Sequence, residues 1–227
     1  MAAGVTHDLK NILNPISLYL QVLERAARRG DTDGVKNGIE EARRVVRRGV
    51  ETVERLTEFS RQAPEAKLES ADVNDLVHEA GDLAKPRMAS RRGRMNTIRE
   101  ELGSPPLISA RTGEIVSAIV NLVVNAIDAM PDGGTITLRT RAERGGAIVE
   151  VADDGPGMTP DVEKRVFEPF FTTKGDAGTG LGLAMVYACV QRHGASIALV
   201  TAPGEGTTFT LWFPSEQYVV AGRITKP

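Results

Sequence analysis

The stretch Gly178-Thr179-Gly180-Leu181-Gly182-Leu183 lies near the end of the chain, directly before the apolar residues Ala184-Met185-Val186. Glycine lets a backbone approach phosphate oxygens closely, and the free amides at the start of a helix favour negative charge. The pattern is therefore typical of a phosphate-binding loop, although a merely flexible helix start remains the alternative. It matches neither G-x-x-x-x-G-K-[ST] nor G-x-G-x-x-G, so a different kind of nucleotide site is needed.

Composition narrows the class of protein. The chain has 227 residues, of which 41% are hydrophobic and 26% charged, as in a folded globular protein of one or two domains. Its net charge of -2 gives no general attraction to nucleic acid or to acidic membranes. Cys189 is the single cysteine, which excludes an intrachain disulfide and a cysteine metal cluster. No apolar run is long enough to span a membrane, and no secretion signal opens the chain.

The first 63 residues have the spacing of two helices. Apolar residues alternate steps of four and three from Val5 to Ala26, and a weaker version of the rhythm runs from Val35 to Ser60. Gly30 and Gly34 lie in the polar turn between them. Because each helix also has an apolar flank, we expect two such hairpins to pair into a dimeric four-helix bundle. Packing of the hairpin on its own chain is the alternative.

A second domain of the α+β class follows a short linker. Helical patterns are predicted from Asp72 to about Arg91, from Gly113 to Met130, around residues 160–167 and, after a loop to Gly178, on to about His193. Strands are predicted at residues 97–102, 107–110, 135–140, 147–152, 197–200 and 207–213. The predicted domain organisation is a helical hairpin at 1–63, a linker at 64–71, a catalytic domain at 72–215 and a tail at 216–227.

Three further patterns in the second domain suggest nucleotide chemistry. Asn121, Asn125 and Asp128 share one face of a predicted helix, where amide oxygens suit Mg²⁺; a solvated helix face is the alternative. Asp153-Asp-Gly-Pro-Gly157 could accept a hydrogen bond from an adenine amine, although Asp-Gly is also an ordinary turn. Finally, residues 167–174, FEPFFTTK, could form a lid that brings Lys174 to phosphates, or a simple hydrophobic loop anchor.

These motifs together carry a resemblance to a known family. NLVVNAIDA from Asn121, DDGPG from Asp153, FEPFF from Phe167, GTGLG from Gly178 and GEGTTF from Gly204 occur in the order of the N, G1, F, G2 and G3 boxes of sensor histidine kinases. Five boxes in order are far more specific than any one of them. The chain resembles the transmitter core of that family, from two-component systems, over nearly its whole length.

The resemblance implies a Bergerat (GHKL) fold, an α/β sandwich with helices over one face of a mixed sheet, that binds ATP and Mg²⁺. By the same resemblance Asn125 would hold Mg²⁺, Asp153 would bind adenine, Thr207 would lie near the base, and Asn121 would join the polar stripe. Asp128 departs from the family, many of whose members have a basic phosphate contact there, and we expect Lys174 to supply that charge. The remaining nucleotide residues would be Gly155, Gly157, Gly178, Thr179, Gly180, Leu181 and Gly182.

The segment His7-Asp8-Leu-Lys-Asn11 resembles the H box, which carries the phosphoacceptor histidine of the family. Heptad spacing places His7 two residues past a core position, so it should face solvent. Asp8 resembles the acidic partner that removes the imidazole proton, and Asn11 lies where the family positions water for phosphatase action. Pro15 should bend the helix just beyond the site. We expect His78 and His193 to be ordinary exposed histidines.

The sequence thus predicts a protein histidine kinase that phosphorylates His7 and passes the group to an aspartate of a response regulator receiver domain. A phosphatase action toward the same regulator is a further expectation. Two alternatives are a nucleotide-responsive scaffold without turnover and another Bergerat-type ATPase, for which Glu114 would be the acidic residue upstream on the helix of the N box. The expected partners are the regulator and a second copy of the chain, with neither nucleic acid nor membrane contact.

The segment before His7 is short for a member of this family. Only six residues precede His7, whereas the family usually has a longer helix leading down from a sensor. We therefore expect either a shortened chain or a sensor supplied by another chain. The expected location is cytoplasmic, either free or as the cytosolic part of a longer, membrane-bound receptor.

Overall fold

The computed structural model describes residues 20–60, 67–88, 95–175 and 178–216. The predicted catalytic residues His7, Asp8 and Asn11 lie outside this part of the chain. By backbone contacts the chain divides into two units, Met1–Ala63 and Pro64–Pro227. Each unit is described below by itself.

The described part of the first unit is a helical hairpin, as predicted. Residues 20–28 form helix α1, and the turn that follows includes Gly30, whose φ of +67° is readily adopted only by glycine. Helix α2 runs over Thr32–Ser60, and the Asp31 carboxylate caps its start by accepting from the Gly34 amide at 2.8 Å. Gly38 of α2 faces Leu23 of α1, where a Cβ would lie 2.8 Å from the leucine side chain. The two helices therefore approach closely at this level.

The second unit combines helices with a mixed sheet. Its helices are α3 (Val73–Ala84), α4 (Thr112–Ala129), α5 (Pro160–Glu163) and α6 (Gly182–Arg192), and a 3-10 turn at Lys85–Arg87 follows α3. Its strands are β1 (Glu69–Ala71), β2 (Thr97–Leu102), β3 (Ile108–Ala110), β4 (Thr135–Glu143), β5 (Gly146–Asp153), β6 (Ser196–Thr201) and β7 (Thr207–Pro214). Helix α3 ends at Ala84 and a 3-10 turn follows, because Pro86 has no amide hydrogen for the next helical hydrogen bond. The predicted helix to Arg91 is therefore wrong at residues 85–88, and residues 89–91 lie outside the described part of the chain.

The five-stranded sheet has the order β2-β4-β5-β7-β6. Strand β2 pairs with β4 in parallel, whereas the pairs β4–β5, β5–β7 and β6–β7 are antiparallel. Strand β1 pairs separately with β3 and uses residues from the end of the predicted linker. The predicted mixed sheet is therefore confirmed, and the hairpins β4–β5 and β6–β7 lie where alternation predicted them.

One face of the sheet packs against helices α3, α4 and α6 to form the core. Alternate residues of β4 and β7, such as Ile136, Leu138, Leu211 and Phe213, are at most 1% exposed. Helix α4 is apolar enough for a membrane span by length and composition, with a mean hydropathy of 1.3. Eight of its residues, however, are buried in this core: Ile115, Val116, Ala118, Ile119, Leu122, Val123, Ala126 and Ile127. Packing inside the domain therefore accounts for its composition.

Candidate nucleotide-binding site

Asp153 is the last residue of β5 and lies directly beside Thr207, the first residue of β7. Burial raises the pKa of the Asp153 carboxyl, while hydrogen bonds from the backbone amides of Gly155 and Thr207 partly oppose that rise. The Gly155 amide donates to Asp153 Oδ1 at 3.0 Å. Thr207 itself is 5% exposed. The site therefore contains a half-buried carboxylate with a fixed orientation, which suits a neutral hydrogen-bond donor such as an amine of a purine base.

The loop after Asp153 is held against the turn between β6 and β7. The Gly204 amide donates to the Pro156 carbonyl at 2.7 Å, and Gly157 lies against the backbone carbonyl of Ala202. Thr201 Oγ1 accepts from the Met158 amide at 3.0 Å and donates to the Gly206 carbonyl at 2.9 Å. The G1 and G3 boxes therefore pack together and form one side of the candidate site. Sequence reasoning missed Thr201, which lies one residue past the predicted strand and pairs with Thr207 in the register of β6 and β7.

A stripe of polar side chains on α4, which we call the polar stripe, forms another side of the candidate site. Asn121, Asn125 and Asp128 fall on one helical face as predicted, with the two asparagines half-buried and Asp128 exposed. Asn121 donates its amide to the Ser117 carbonyl at 3.0 Å, which leaves its Oδ1 oxygen turned toward α6. A Cβ added at Gly182 would lie 3.2 Å from Asn121 Oδ1 and 3.8 Å from Asn125 Nδ2. Helix α6 therefore begins beside the stripe, and glycine leaves room there.

The loop before α6, which we call the lid segment, comprises residues 170–175 and 178–180 and so includes the first part of the glycine string. The two ends of this segment contact each other. The Phe170 amide donates to the Gly180 carbonyl at 2.9 Å, and a side chain at Gly180 would clash with the Phe170 backbone. Gly180 also has a φ of +64°. Gly178 lies against Thr172, Thr179 is half-buried, and Leu181 is fully buried ahead of α6. The predicted G2 residues therefore surround the start of α6.

Lys174 of the lid segment reaches the polar stripe. Its Nζ donates to Asp128 Oδ2 at 2.8 Å and to Asn125 Oδ1 at 3.3 Å. The lysine backbone amide donates to Thr172 Oγ1 at 3.1 Å. The structure thus places the lysine ammonium beside the amide oxygen that the sequence assigns to a cation.

The aromatic residues of the F box pack on the domain surface. Phe167 contacts Tyr187 and Phe209, with ring centroids 5.7 Å and 6.2 Å away. The Arg165 guanidinium lies 4.3 Å from the ring centre of Phe171 and forms a 3.0 Å ion pair with Glu168. These contacts anchor the loop between α5 and the lid segment, as expected for aromatic side chains that dock on the domain.

A separate polar cluster joins the start of α4 to the end of α6. Ligand atoms of Glu114, Cys189 and His193 lie within 4.8 Å of one another. His193 is 9% exposed, not exposed as predicted, because its ring packs against Phe213 and fills the junction. Its Nδ1 donates to the Cys189 carbonyl at 2.8 Å, and its Nε2 accepts from the Arg111 amide at 3.1 Å. With both ring nitrogens engaged, this histidine joins two helices and is poorly suited to a metal.

Glu114, the residue that the alternative ATPase function requires near the nucleotide, is part of this cluster. Its Oε2 forms a 2.8 Å ion pair with Arg192 of α6. Glu114 is seven residues before Asn121, about 10 Å along the helix axis. The glutamate therefore belongs to the helix junction and lies away from the polar stripe, which removes the main support for a water-activating residue on α4. His78, by contrast, is exposed as predicted and pairs with Glu100 at 2.7 Å.

The residues of this site fit a nucleotide and a hard divalent cation. The Asp153 carboxylate is an acceptor of the kind that the amine of a base needs, and the glycine-rich start of α6 leaves space beside the asparagines of the kind that phosphates need. Asn125 Oδ1 already accepts from a cationic group, the Lys174 ammonium. An amide oxygen so used is a chemically suitable ligand for Mg²⁺.

Comparison with known families divides the chain in the same way as the fold. Residues 1–65 match the His Kinase A (phospho-acceptor) domain. Residues 111–217 match the family described as histidine kinase-, DNA gyrase B-, and HSP90-like ATPase. The first unit is therefore of the phospho-acceptor type, and the second unit is an ATP-binding domain.

Individual relatives cover both units. The sensor histidine kinase ZraS of Escherichia coli strain K12 is 34% identical over 217 residues, which is 94% of this chain and 45% of ZraS. A structure of full-length ShkA in complex with AMPPNP is 27% identical with a TM-score of 0.62, and the match covers 93% of this chain and 45% of ShkA. The histidine kinase ThkA, solved in complex with the response regulator protein TrrA, shares the fold with a TM-score of 0.73 at 22% identity, over 95% of this chain and 61% of ThkA.

The chain thus spans less than half the length of ZraS, and the shared part contains both units. The order of the two matched domains, phospho-acceptor before ATPase, is the order of a transmitter core. The chain belongs to the sensor histidine kinases, of which it contains the transmitter core.

Proposed function

We propose that the chain catalyses ATP-dependent phosphorylation of His7 and transfers the phosphoryl group to an aspartate of a response regulator. One observation carries the proposal. The chain contains three histidines, and His7 is the only one within residues 1–65, which match a phospho-acceptor domain. The same chain contains an ATPase domain whose predicted nucleotide residues lie along adjoining loops and helices.

The nucleotide is held, in this proposal, along the edge formed by β5, α4 and α6. The Asp153 carboxylate accepts a hydrogen bond from the adenine amine, and Gly155, Gly157 and Thr207 surround the base. The triphosphate extends toward the start of α6, where the backbone of Gly178, Thr179, Gly180, Leu181 and Gly182 accommodates it together with Asn121. Its negative charge faces the Lys174 ammonium, which already lies in this region.

Asn125 is the proposed Mg²⁺ ligand. When bound, Mg²⁺ supplies neutralisation of the charge on the phosphates. The protein residues provide the rest of the environment: Asn125 offers its Oδ1, Lys174 offers a positive charge, and the glycines leave space for close approach. These groups favour transfer chiefly by position and charge.

The chemistry of the first transfer is an in-line displacement at the γ-phosphorus. A neutral imidazole is the required nucleophile, and the unperturbed histidine pKa of about 6.5 leaves most of the population neutral at pH 7. A bond forms between a ring nitrogen of His7 and the γ-phosphorus, the bond to the β,γ-bridging oxygen breaks, and ADP leaves. The proton on the other ring nitrogen passes to Asp8, the adjacent carboxylate.

The second transfer requires a partner. A receiver-domain aspartate attacks the phosphohistidine, which returns His7 to its starting form. ThkA was solved with its response regulator TrrA, which supports a partner of this class for the present chain. In the reverse function, Asn11 orients water against the phospho-aspartate of the regulator. A homodimer through the helical hairpin and a cytoplasmic location complete the proposal.

Labelling with γ-³²P-ATP tests the proposed function. The unmodified chain should acquire an acid-labile, base-stable label, and His7→Gln should abolish it. The matched control His78→Gln changes an exposed histidine of the ATPase unit and should retain the label. Asp8→Glu keeps a carboxylate and should retain a slower reaction. An acid-stable label, or a label that survives in His7→Gln, would contradict the proposal, and ATP binding without any label would favour a scaffold.

A further inference from the structure

Asp128 and Lys174 form an ion pair between two elements that both face the proposed phosphate region. Asp128 lies in the last turn of α4, and Lys174 lies 46 residues later in the lid segment. Their Nζ–Oδ2 distance is 2.8 Å, and the same Nζ lies 3.3 Å from Asn125 Oδ1. The lysine ammonium therefore bridges two side chains that are one turn apart on α4.

The two ends of Lys174 are held by different groups. Its backbone amide is fixed by Thr172 Oγ1 within the lid segment. Its side chain is flexible in principle and is 34% exposed, so the tip depends on the contacts with Asp128 and Asn125 for its position. Of these two contacts, the one with the charged carboxylate is shorter and stronger.

A carboxylate at this place is unfavourable by itself. An unpaired Asp128 at the end of the polar stripe would repel the phosphates of a nucleotide. Paired with Lys174, its charge is compensated, and the ammonium is retained next to Asn125. In the ion pair, the Asp128 carboxylate no longer repels phosphates and instead fixes the position of the Lys174 ammonium, which attracts them.

We infer that Asp128 is a positioning residue that holds the Lys174 ammonium at the polar stripe for contact with the nucleotide phosphates. This inference rests on the proposed nucleotide site and adds a role for Asp128. Its consequence is that the effect of Asp128 on ATP binding depends on residue 174. With Lys174 present, the carboxylate assists binding; with Lys174 removed, the same carboxylate opposes it.

A double-mutant cycle on the full chain tests this dependence. The dissociation constant for Mg²⁺-ATP is measured by isothermal titration for the unmodified chain, Asp128→Asn, Lys174→Met and the double variant. Exposed ion pairs contribute modestly, so Asp128→Asn should weaken binding by about 3-fold. Loss of the lysine charge should weaken it by about 10-fold. In the Lys174→Met background, Asp128→Asn should instead tighten binding by about 2-fold.

The reversal of sign separates positioning from a purely structural or repulsive role. If Asp128 had a purely structural role, Asp128→Asn would weaken binding in both backgrounds. If Asp128 only repelled phosphates, Asp128→Asn would tighten binding in both. Either result overturns the inference. Asp161→Asn and Lys164→Met, at exposed positions on and directly after α5, make the same charge changes outside the site and should leave the affinity unchanged. Unfolding followed by Trp212 fluorescence confirms that each variant is folded.

The test also separates this inference from the proposed function. If the unmodified chain binds no ATP, the proposed function fails, and the inference fails with it. If it binds ATP and phosphorylates His7 while the sign does not reverse, only the inference fails. The differences among the four proteins should also shrink from 50 mM to 500 mM salt, because screening weakens exposed charge interactions.

Discussion

At the scale of single residues, burial changes the ionisation of Asp153, the proposed base-binding carboxylate. Removal from water raises the pKa of the Asp153 carboxyl, and the Gly155 amide is the largest opposing contribution. A carboxyl whose pKa is raised by folding contributes its full stability below the pKa of the unfolded chain and loses it as the pH rises through the folded pKa. Burial therefore makes the charged form of Asp153 less favourable in the folded chain than in the unfolded chain, and this cost supports the proposed role of Asp153 in binding a base.

We predict that Asp153→Asn separates binding from stability. The amide Oδ1 can still accept from Gly155, so the urea midpoint at pH 7 should be unchanged or higher. ATP binding should weaken by between about 10-fold and 100-fold, because a hydrogen bond to a charged acceptor is lost and an amide donor can face the adenine amine. Isothermal titration and unfolding followed by Trp212 measure the two effects.

The neighbouring Asp154 provides the matched control for this variant. It is exposed, and its Oδ1 accepts from the Thr135 amide at 2.8 Å. Asp154→Asn makes the same change of charge one residue away and should leave ATP affinity within about 2-fold, as expected for an exposed charge. Equal losses in both variants would show that charge alone matters and would contradict the specific role of Asp153.

Sequence and structure agree best at this scale where a residue's position follows from local geometry. Asn121, Asn125 and Asp128 share a face because helical periodicity requires it. Lys174 could be proposed as a phosphate contact, yet its ion pair with Asp128 could not be derived, because it joins residues 46 positions apart through a loop of irregular backbone. The buried state of His193 was missed for the same reason: Arg111 is 82 residues away.

At the scale of elements, the sequence predicts the helices and hairpins more successfully than the sheet order. Alternation identifies the antiparallel pairs β4–β5 and β6–β7, whose connections are short. The parallel pair β2–β4 is separated by β3 and α4, and no local pattern specifies it. Strand β1 was missed because three residues, Glu69–Ala71, are too few to show alternation.

Helices α4 and α6 are joined by His193, and this junction should depend on pH. Burial lowers the pKa of His193 below its usual value. Its Nε2 must be unprotonated to accept from the Arg111 amide at the start of α4. A group whose pKa is lowered by folding contributes its full stability above the unfolded pKa of about 6.5, and that stability is lost as the pH falls through the folded value.

We therefore predict that the ATPase unit loses stability on acidification below about pH 6.5 in a manner that His193→Gln removes. The variant should itself be destabilised by about 1–3 kcal/mol at pH 7.5, because a buried backbone amide loses its acceptor. Urea unfolding is followed by Trp212, the only tryptophan, which lies in β7. His78→Gln is the exposed control. An unchanged acid dependence in His193→Gln would exclude the helix junction as its source.

At the scale of the whole molecule, the two units depend on different equilibria. The ATPase unit has its own core, and all of the proposed nucleotide residues belong to it. The hairpin unit has a single described pair of helices, and its proposed partner is a second copy of the chain. Ligands stabilise only the unit that binds them, and association stabilises only the unit that associates.

We predict two separable responses in calorimetry of the full chain. Mg²⁺-ATP at about 100 times its dissociation constant should raise the unfolding temperature of the ATPase unit by about 5–10 °C, since binding contributes about 2.7 kcal/mol. A tenfold increase in protein concentration should instead raise the transition of the hairpin unit. Trp212 fluorescence assigns the first transition, because that residue lies in the ATPase unit. At the same ATP concentration Asp153→Asn should reduce the ATP response to about half or less and retain the concentration response. Loss of both responses together would show that nucleotide and dimer stabilise one cooperative structure.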